Sequence, residues 1–136
     1  MRRSKNKSAS KAKADRYFSL YVRYRDADDM GYADCITCGK TLFIKEAHCG
    51  HFVLRDRLKT RYDERNGNFQ CIVCNMHRAG EQYLHGKNID DKYGEGTADK
   101  LIALGKEIVK MTQSDYEAIA KTYKELYEEQ KKLKHL

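Results

Sequence analysis

Two Cys-x-x-Cys pairs constrain this chain more than any other feature: Cys35-Ile-Thr-Cys38 and Cys71-Ile-Val-Cys74, with 32 residues between them. Four thiolates complete the tetrahedral shell of Zn²⁺ and leave no open position, the donor set of a structural site. Each pair fits a tight turn around one edge of the metal, and Gly39 follows the first pair. A thioredoxin-like redox role fits poorly, because neither pair opens a helix within a strand-helix-strand pattern. The fifth cysteine, Cys49, is unpaired, and it reads as a small buried residue. An odd thiol count argues for a reducing compartment. Residues 1–13 are basic and polar with no apolar core, so a secretory leader is not expected.

Composition explains why a metal is needed. The 136 residues include four Phe, ten Tyr and no Trp, with 35% charged residues and a mean hydropathy of −0.85. One domain with so modest a core calls for a stabilising device beyond apolar burial. No stretch approaches the roughly 20 apolar residues of a membrane span, which excludes a membrane protein. Lys and Arg number 27 against 20 Asp and Glu, a net charge of +7. That balance suits a polyanionic partner.

Residues 1–13 carry Arg2, Arg3, Lys5, Lys7, Lys11 and Lys13 without an acid. Two readings stand, a flexible solubilising tail or an arm that reaches phosphates. From about residue 9 to 29, Tyr17, Leu20, Tyr21 and Tyr24 fall at i, i+3, i+4 and i+7, which predicts a helix with an aromatic core stripe. Between residues 31 and 75 the periodicity breaks into short pieces. Residues 41–44 and 52–60 read as strands. In the second, Arg55, Arg57, Lys59 and Arg61 alternate with Leu54, Asp56, Leu58 and Thr60. An extended chain would put the four cations on one face, either solvated or forming a phosphate-contacting ribbon, and the charge logic favours the ribbon.

After Cys74 a helix is expected over residues 75–84, then a loop over 87–96 with Gly86, Gly94 and Gly96 nearby. A helix from Thr97 would stripe Leu101, Leu104, Ile108 and Met111. Thr112-Gln-Ser-Asp115 resembles a capping box and opens a last helix. There Tyr116, Ile119, Tyr123, Leu126, Gln130 and Leu133 form a seam of about three heptads. The seam packs onto its own domain or pairs across a homodimer.

Between the cysteine pairs lies Ala47-His48-Cys49-Gly50-His51-Phe52, and Asn66, Asn75 and His77 follow. A zinc frame would hold these segments close together, whereas His85 and His135 read as structural. Phosphodiester hydrolysis needs an activated water and a divalent ion that stabilises charge on the phosphorane and the leaving oxygen. An imidazole with an ordinary pKa of about 6.5 can serve as the base.

This ordered set resembles the HNH (His-Me finger) nucleases in their treble-clef form. The layout is similar to that of the phage endonuclease VII family of Holliday-junction resolvases, and closer to the NinG/Rap recombination endonucleases of lambdoid phages. The segments that carry it are Tyr17-Phe-Ser-Leu-Tyr-Val-Arg-Tyr-Arg-Asp26, Cys35-Ile-Thr-Cys-Gly39, Gly50-His-Phe52, Arg61-Tyr-Asp-Glu64 with Asn66, and Gln70-Cys-Ile-Val-Cys-Asn-Met-His77 with Gly80. The resemblance implies an α+β fold: a small zinc-stabilised treble-clef (ββα-metal, HNH) core with an N-terminal helix and a helical C-terminal extension. The expected division is a basic tail over 1–13, the nuclease core over 14–96 and the extension over 97–136.

It further implies a metal-dependent DNA endonuclease that prefers branched DNA and acts in the cytoplasm of a bacterial host if phage-encoded. Cys35, Cys38, Cys71 and Cys74 would hold structural Zn²⁺. His51 would be the general base and Asn75 a ligand of the catalytic Mg²⁺ or Mn²⁺. Asn66 would orient the loop carrying the base, and His77 would bind metal or phosphate. Endonuclease VII-type enzymes carry an acidic ligand directly before the base, where this chain has Gly50. His48 or Glu81 is the substitute, and an imidazole ligand would favour Mn²⁺ or another transition ion. The alternative is a non-catalytic zinc module that binds nucleic acid or a partner protein. It accounts for zinc ligands and charge, but not for His48, His51, Asn75 and His77 converging on one frame.

Overall fold

The computed structural model describes residues 2–79 and 81–136, with side chains from residue 6 onward. The expected phosphate contacts of Arg2, Arg3 and Lys5 therefore lie outside the described residues, as does Gly80. The long helix α1 (Arg2–Asp26) is the spine of the molecule. It starts well before residue 9 and takes in residues 2–13, the expected tail, as its first turns. That stretch holds no Gly or Pro to stop it. Phe18 and Val22 are its deepest large side chains, with Ala14, Tyr21 and Tyr24 also buried. Tyr17 and Leu20 flank that face, half-buried. Arg23 and Arg25 are spent on carbonyls of this chain, at Ser19 and Ile44 and at Glu64 and Gly67.

The Asp28 carboxylate accepts from the backbone N–H groups of Met30 and Tyr32, at 2.9 and 3.0 Å. This turn leads into β1 (Tyr32–Asp34), which pairs antiparallel with β2 (Thr41–Phe43). Cys35 and Cys38 lie in the connection, where Gly39 takes the left-handed conformation at φ +78° and its N–H donates to the Cys35 carbonyl. A 3-10 turn (Ile44–Glu46) passes the chain to β3 (Ala47–His51), antiparallel to β4 (Gly67–Cys71) in the register Ala47↔Cys71 to His51↔Gly67.

The two faces of this hairpin differ because side chains alternate along a strand. Ala47, Cys49, Phe69 and Cys71 pack with Phe18, Tyr21, Tyr24 and Ala27 of the α1 side. His48, Gly50, Asn68 and Gln70 share the opposite, polar face.

Residues 52–60 do not form the expected strand. They run as a loop closed by the one-turn helix α2 (Leu58–Arg61), so the alternation of charges there does not build a ribbon. Beyond Cys74 the expected helix over 75–84 is replaced by a π turn (Val73–His77). A break follows in which Ala79 and Glu81 take positive φ, and only then does α3 (Gln82–Tyr93) begin. Most of the expected 87–96 loop therefore belongs to α3. Gly86 misled because its role is close approach: a Cβ there would stand 2.8 Å from the Phe52 ring. Gly94 and Gly96, both at positive φ, do make the turn.

The helix α4 (Thr97–Gly105) buries Leu101 but ends before Ile108, which is 93% exposed. Its expected stripe is thus half as long as the pattern suggests. The final helix α5 (Gln113–Leu133) opens on the expected capping box, with Thr112 and Asp115 bonded reciprocally. It runs parallel to α1, since Tyr116 meets Ala14, Tyr123 meets Phe18 and Tyr127 meets Tyr24 in ascending order along both. Lys134 then donates to the carbonyls of Tyr24, Arg25 and Ala27, capping the end of α1. The heptad seam is therefore packed within its own chain from Tyr116 to Leu126, while Leu133 at its end is 65% exposed. Among the described residues, no helix is long and apolar enough to cross a membrane.

Candidate functional site

The four paired cysteines converge. Their Sγ atoms all lie within 4.8 Å of one another, and Cys38 Sγ is 3.8 Å from Cys71 Sγ. A tetrahedron with Zn–S arms of about 2.3 Å has edges of about 3.8 Å, so the cluster fits a zinc ion. Three of the sulfurs belong to buried residues, while Cys38 is exposed. Cys49 is outside the cluster, and burial pushes its thiol up to about 12.

From this frame β3 carries His48 and His51 to different faces. His51 stands at the strand's end, its ring 5.8 Å from that of Phe18. Its Nε2 lies 2.9 Å from the Arg61 carbonyl oxygen. A carbonyl only accepts, so Nε2 carries the hydrogen and Nδ1 keeps the lone pair. Burial pushes the imidazole down to about 4, and the charges of Arg55 and Arg61 add to that shift. His51 is therefore a neutral imidazole of fixed tautomer at pH 7, in the protonation state a general base requires.

Asn66 is fully buried and bridges the loop that follows His51. Its Oδ1 accepts from the Val53 N–H at 2.7 Å, and its Nδ2 donates to the carbonyls of Val53 and Thr60 at 3.0 and 3.1 Å. Of the four cations assigned to a ribbon, Arg55, Arg57 and Lys59 are exposed on or beside this loop. Arg61 is not available to a phosphate. It is 6% exposed and forks onto Asp15 at 2.8 and 2.6 Å.

On the polar face, His48 Nδ1 and Asn75 Nδ2 are 3.0 Å apart. With the amide nitrogen donating, the contact consumes the His48 lone pair. With the amide turned, Nδ1–H donates to Oδ1 and Nε2 is left able to bind an ion. His77 is exposed at the end of the π turn. Glu81 faces Arg78 at 3.8 Å, and the broken backbone between His77 and Glu81 removes the shared helix face that recommended it as a ligand. Among the described residues, the four cysteines are the only group of three or more His, Cys, Asp or Glu placed to hold a metal. Gly50 is not simply a position lacking its acid. A Cβ there would fall 1.9 Å from Gln70 Oε1, so the Gln70 side chain fills the space that a residue-50 carboxylate would need.

Sequence reading did not find the partners of two residues that hold this region together. His85 is fully buried, and its Nε2 accepts from Asn68 Nδ2 at 3.3 Å. That amide is oriented by the Arg65 carbonyl on one side and Lys92 on the other. Burial pushes His85 down to about 4, with His51 adding to the effect. Asp15 is the second, and its signal was available: it is the first acid of the chain, after 14 residues without one.

The family described as Bacteriophage Lambda NinG protein matches residues 1–134 of this chain. Among curated relatives, the proteins named ninG of Escherichia phage 933W and Salmonella phage P22 are each 30% identical over 89 residues, or 65% of this chain. That of Escherichia phage lambda is 29% identical over the same length. The matched stretch spans only 41–42% of these relatives' own length. No solved structure matches. The chain belongs to the NinG family of bacteriophage proteins.

Proposed function

We propose that this protein is a metal-dependent DNA endonuclease of the HNH type, with a treble-clef core that comprises the two zinc knuckles and the β3–β4 hairpin. The observation that carries the reading is the state of His51: neutral, with Nε2–H bound to the Arg61 carbonyl and Nδ1 left to take a proton. His51 Nδ1 removes the proton from the water that attacks the scissile phosphate. Asn66 keeps the loop beyond the base in one conformation, so that Nδ1 does not wander from that water. A divalent ion would supply charge stabilisation for the phosphorane and the leaving oxygen, and its proposed ligands are His48 and Asn75, which lie on the other face of β3 from His51. Arg55, Arg57 and Lys59 grip neighbouring phosphates from the loop that carries the site. The substrate is DNA, branched recombination intermediates above all, in the cytoplasm of a phage-infected bacterium.

Incubation of the zinc-loaded protein with a synthetic four-way junction and a linear duplex of matched sequence, in Mg²⁺, Mn²⁺ or EDTA, tests this. Metal-dependent cutting that favours the junction is expected. Binding of the junction with no cleavage under any metal would leave a non-catalytic zinc module instead.

A further inference from the structure

We infer that Asp15 is a positioning residue for His51, acting through Arg61 from the neighbouring helix α1. The inference rests on His51 being the base, and it adds to that reading a residue on α1 far from it in sequence. The Arg61 carbonyl that receives His51 Nε2–H belongs to the peptide joining Arg61 and Tyr62. Both side chains that flank this peptide end on a single carboxylate. Arg61 Nε and Nη2 donate to the two oxygens of Asp15 at 2.8 and 2.6 Å, and the Tyr62 hydroxyl donates to Oδ1 at 2.7 Å.

Arg61 Nη1 also donates to the Arg55 carbonyl, which draws the loop closed, and Asn66 holds the carbonyl of the preceding Thr60. The plane of the 61–62 peptide is thus fixed from both ends, and with it the direction of the acceptor that selects the His51 tautomer. A bidentate guanidinium–carboxylate pair fixes a plane where a monodentate one fixes only a distance.

The pair serves stability at neutral pH as well as geometry. Burial pushes the Asp15 carboxyl up, and the Arg61 and Tyr62 hydrogen bonds outweigh that and hold it below the usual carboxylate range. Taking two charges out of water offsets much of their attraction, so such a pair contributes geometry more dependably than free energy. Arg61 is not free to serve DNA directly, since its guanidinium is enclosed.

The test compares wild type with Asp15→Asn and Arg61→Lys, each zinc-loaded, by imidazole ¹⁵N shifts of His51 and by cleavage kinetics. The expected wild-type signature is a single Nε2–H tautomer. Both variants are expected to show mixed tautomers and a kcat lower by about tenfold to a hundredfold, with KM changed by less than about twofold. The double variant is expected to be no worse than either single, because the two residues act as one unit. A folded Asp15→Asn protein with wild-type His51 shifts and wild-type kcat overturns the inference. If Asp15→Asn fails to fold, Asp15→Glu keeps the charge and displaces the fork by one methylene, and unchanged His51 shifts there overturn it equally. If wild type cuts no DNA in any metal, the nuclease reading fails while the His51 shifts still decide the role of Asp15.

Discussion

The two ends of the β3–β4 hairpin are held by opposite strategies. At the Ala47–Cys71 end, four sulfurs gather within 4.8 Å, and two short spacings in the sequence suffice to place them. At the His51–Gly67 end nothing local is enough. There His51 and the loop after it are held by a carbonyl ten residues on, an asparagine fifteen residues on and a carboxylate on α1 thirty-six residues back. One end is a cysteine cluster placed to clasp a metal, legible from spacing alone. The other is a network of backbone groups and buried polar side chains, and it is the end on which the proposed chemistry rests.

The largest effect separating the two ends is expected from a metal at the cysteine cluster. Structural zinc contributes on the order of 10–16 kcal/mol of apparent folding free energy in small zinc-finger peptides, comparable to or above a whole domain's stability of roughly 5–15 kcal/mol. Chelation, or Cys71→Ser, is expected to abolish cooperative thermal unfolding, as followed by near-ultraviolet circular dichroism. A chelated protein that still melts cooperatively would show that the apolar core suffices alone.

Next is Asn66→Ala, which strands the Val53 N–H and the carbonyls of Val53 and Thr60. A loss of about 3 kcal/mol is expected, read as a lower urea midpoint, with zinc content unchanged at one per chain. Loss of zinc in this variant would mean that the two ends are not separable.

Acid should act on the base end as well. His51 and His85 are pushed down to about 4 by burial, against an ordinary value of about 6.5. The unfolded chain therefore takes up protons between those values that the folded chain refuses. Stability from this source is complete above about pH 6.5 and is lost progressively as pH falls towards 4. Urea midpoints measured from pH 7 to 5 check this, with a shallower decline expected for His51→Gln. The acid limb of kcat/KM should correspondingly lie near pH 4, not 6.5.

The smallest expected effect is on DNA affinity. Removing Arg55 and Arg57 should flatten the dependence of log K on log salt by about 1 to 2 units. An unchanged slope would move the phosphate surface elsewhere, for example to the Lys13, Lys121 and Lys124 groove between α1 and α5.

What could be read beforehand follows the same division. The cysteine cluster, the α5 capping box and most of the α5 seam were legible because each is a spacing rule within one short segment. The 52–61 segment was not. Its charges alternate as in a strand, yet Asn66 and the Arg61–Asp15 fork bend it into a loop, and long-range contacts override a period-2 pattern. Arg61 looked like a phosphate ligand because charge is visible in sequence, whereas its partner on α1 is not. His85 reads as structural and is buried on Asn68, a partner seventeen residues away that the sequence does not reveal. Backbone carbonyls leave no mark on a sequence at all, so the group that fixes the His51 tautomer could not have been found there.

The most direct measurement is single-turnover cleavage of a four-way junction by wild type and by His51→Ala, with zinc content and junction affinity determined on the same samples. Metal-dependent cutting by wild type, lost by at least about a hundredfold in His51→Ala at equal zinc content and affinity, is the expected result. Equal cutting by the two proteins would contradict the assignment of His51 as the base.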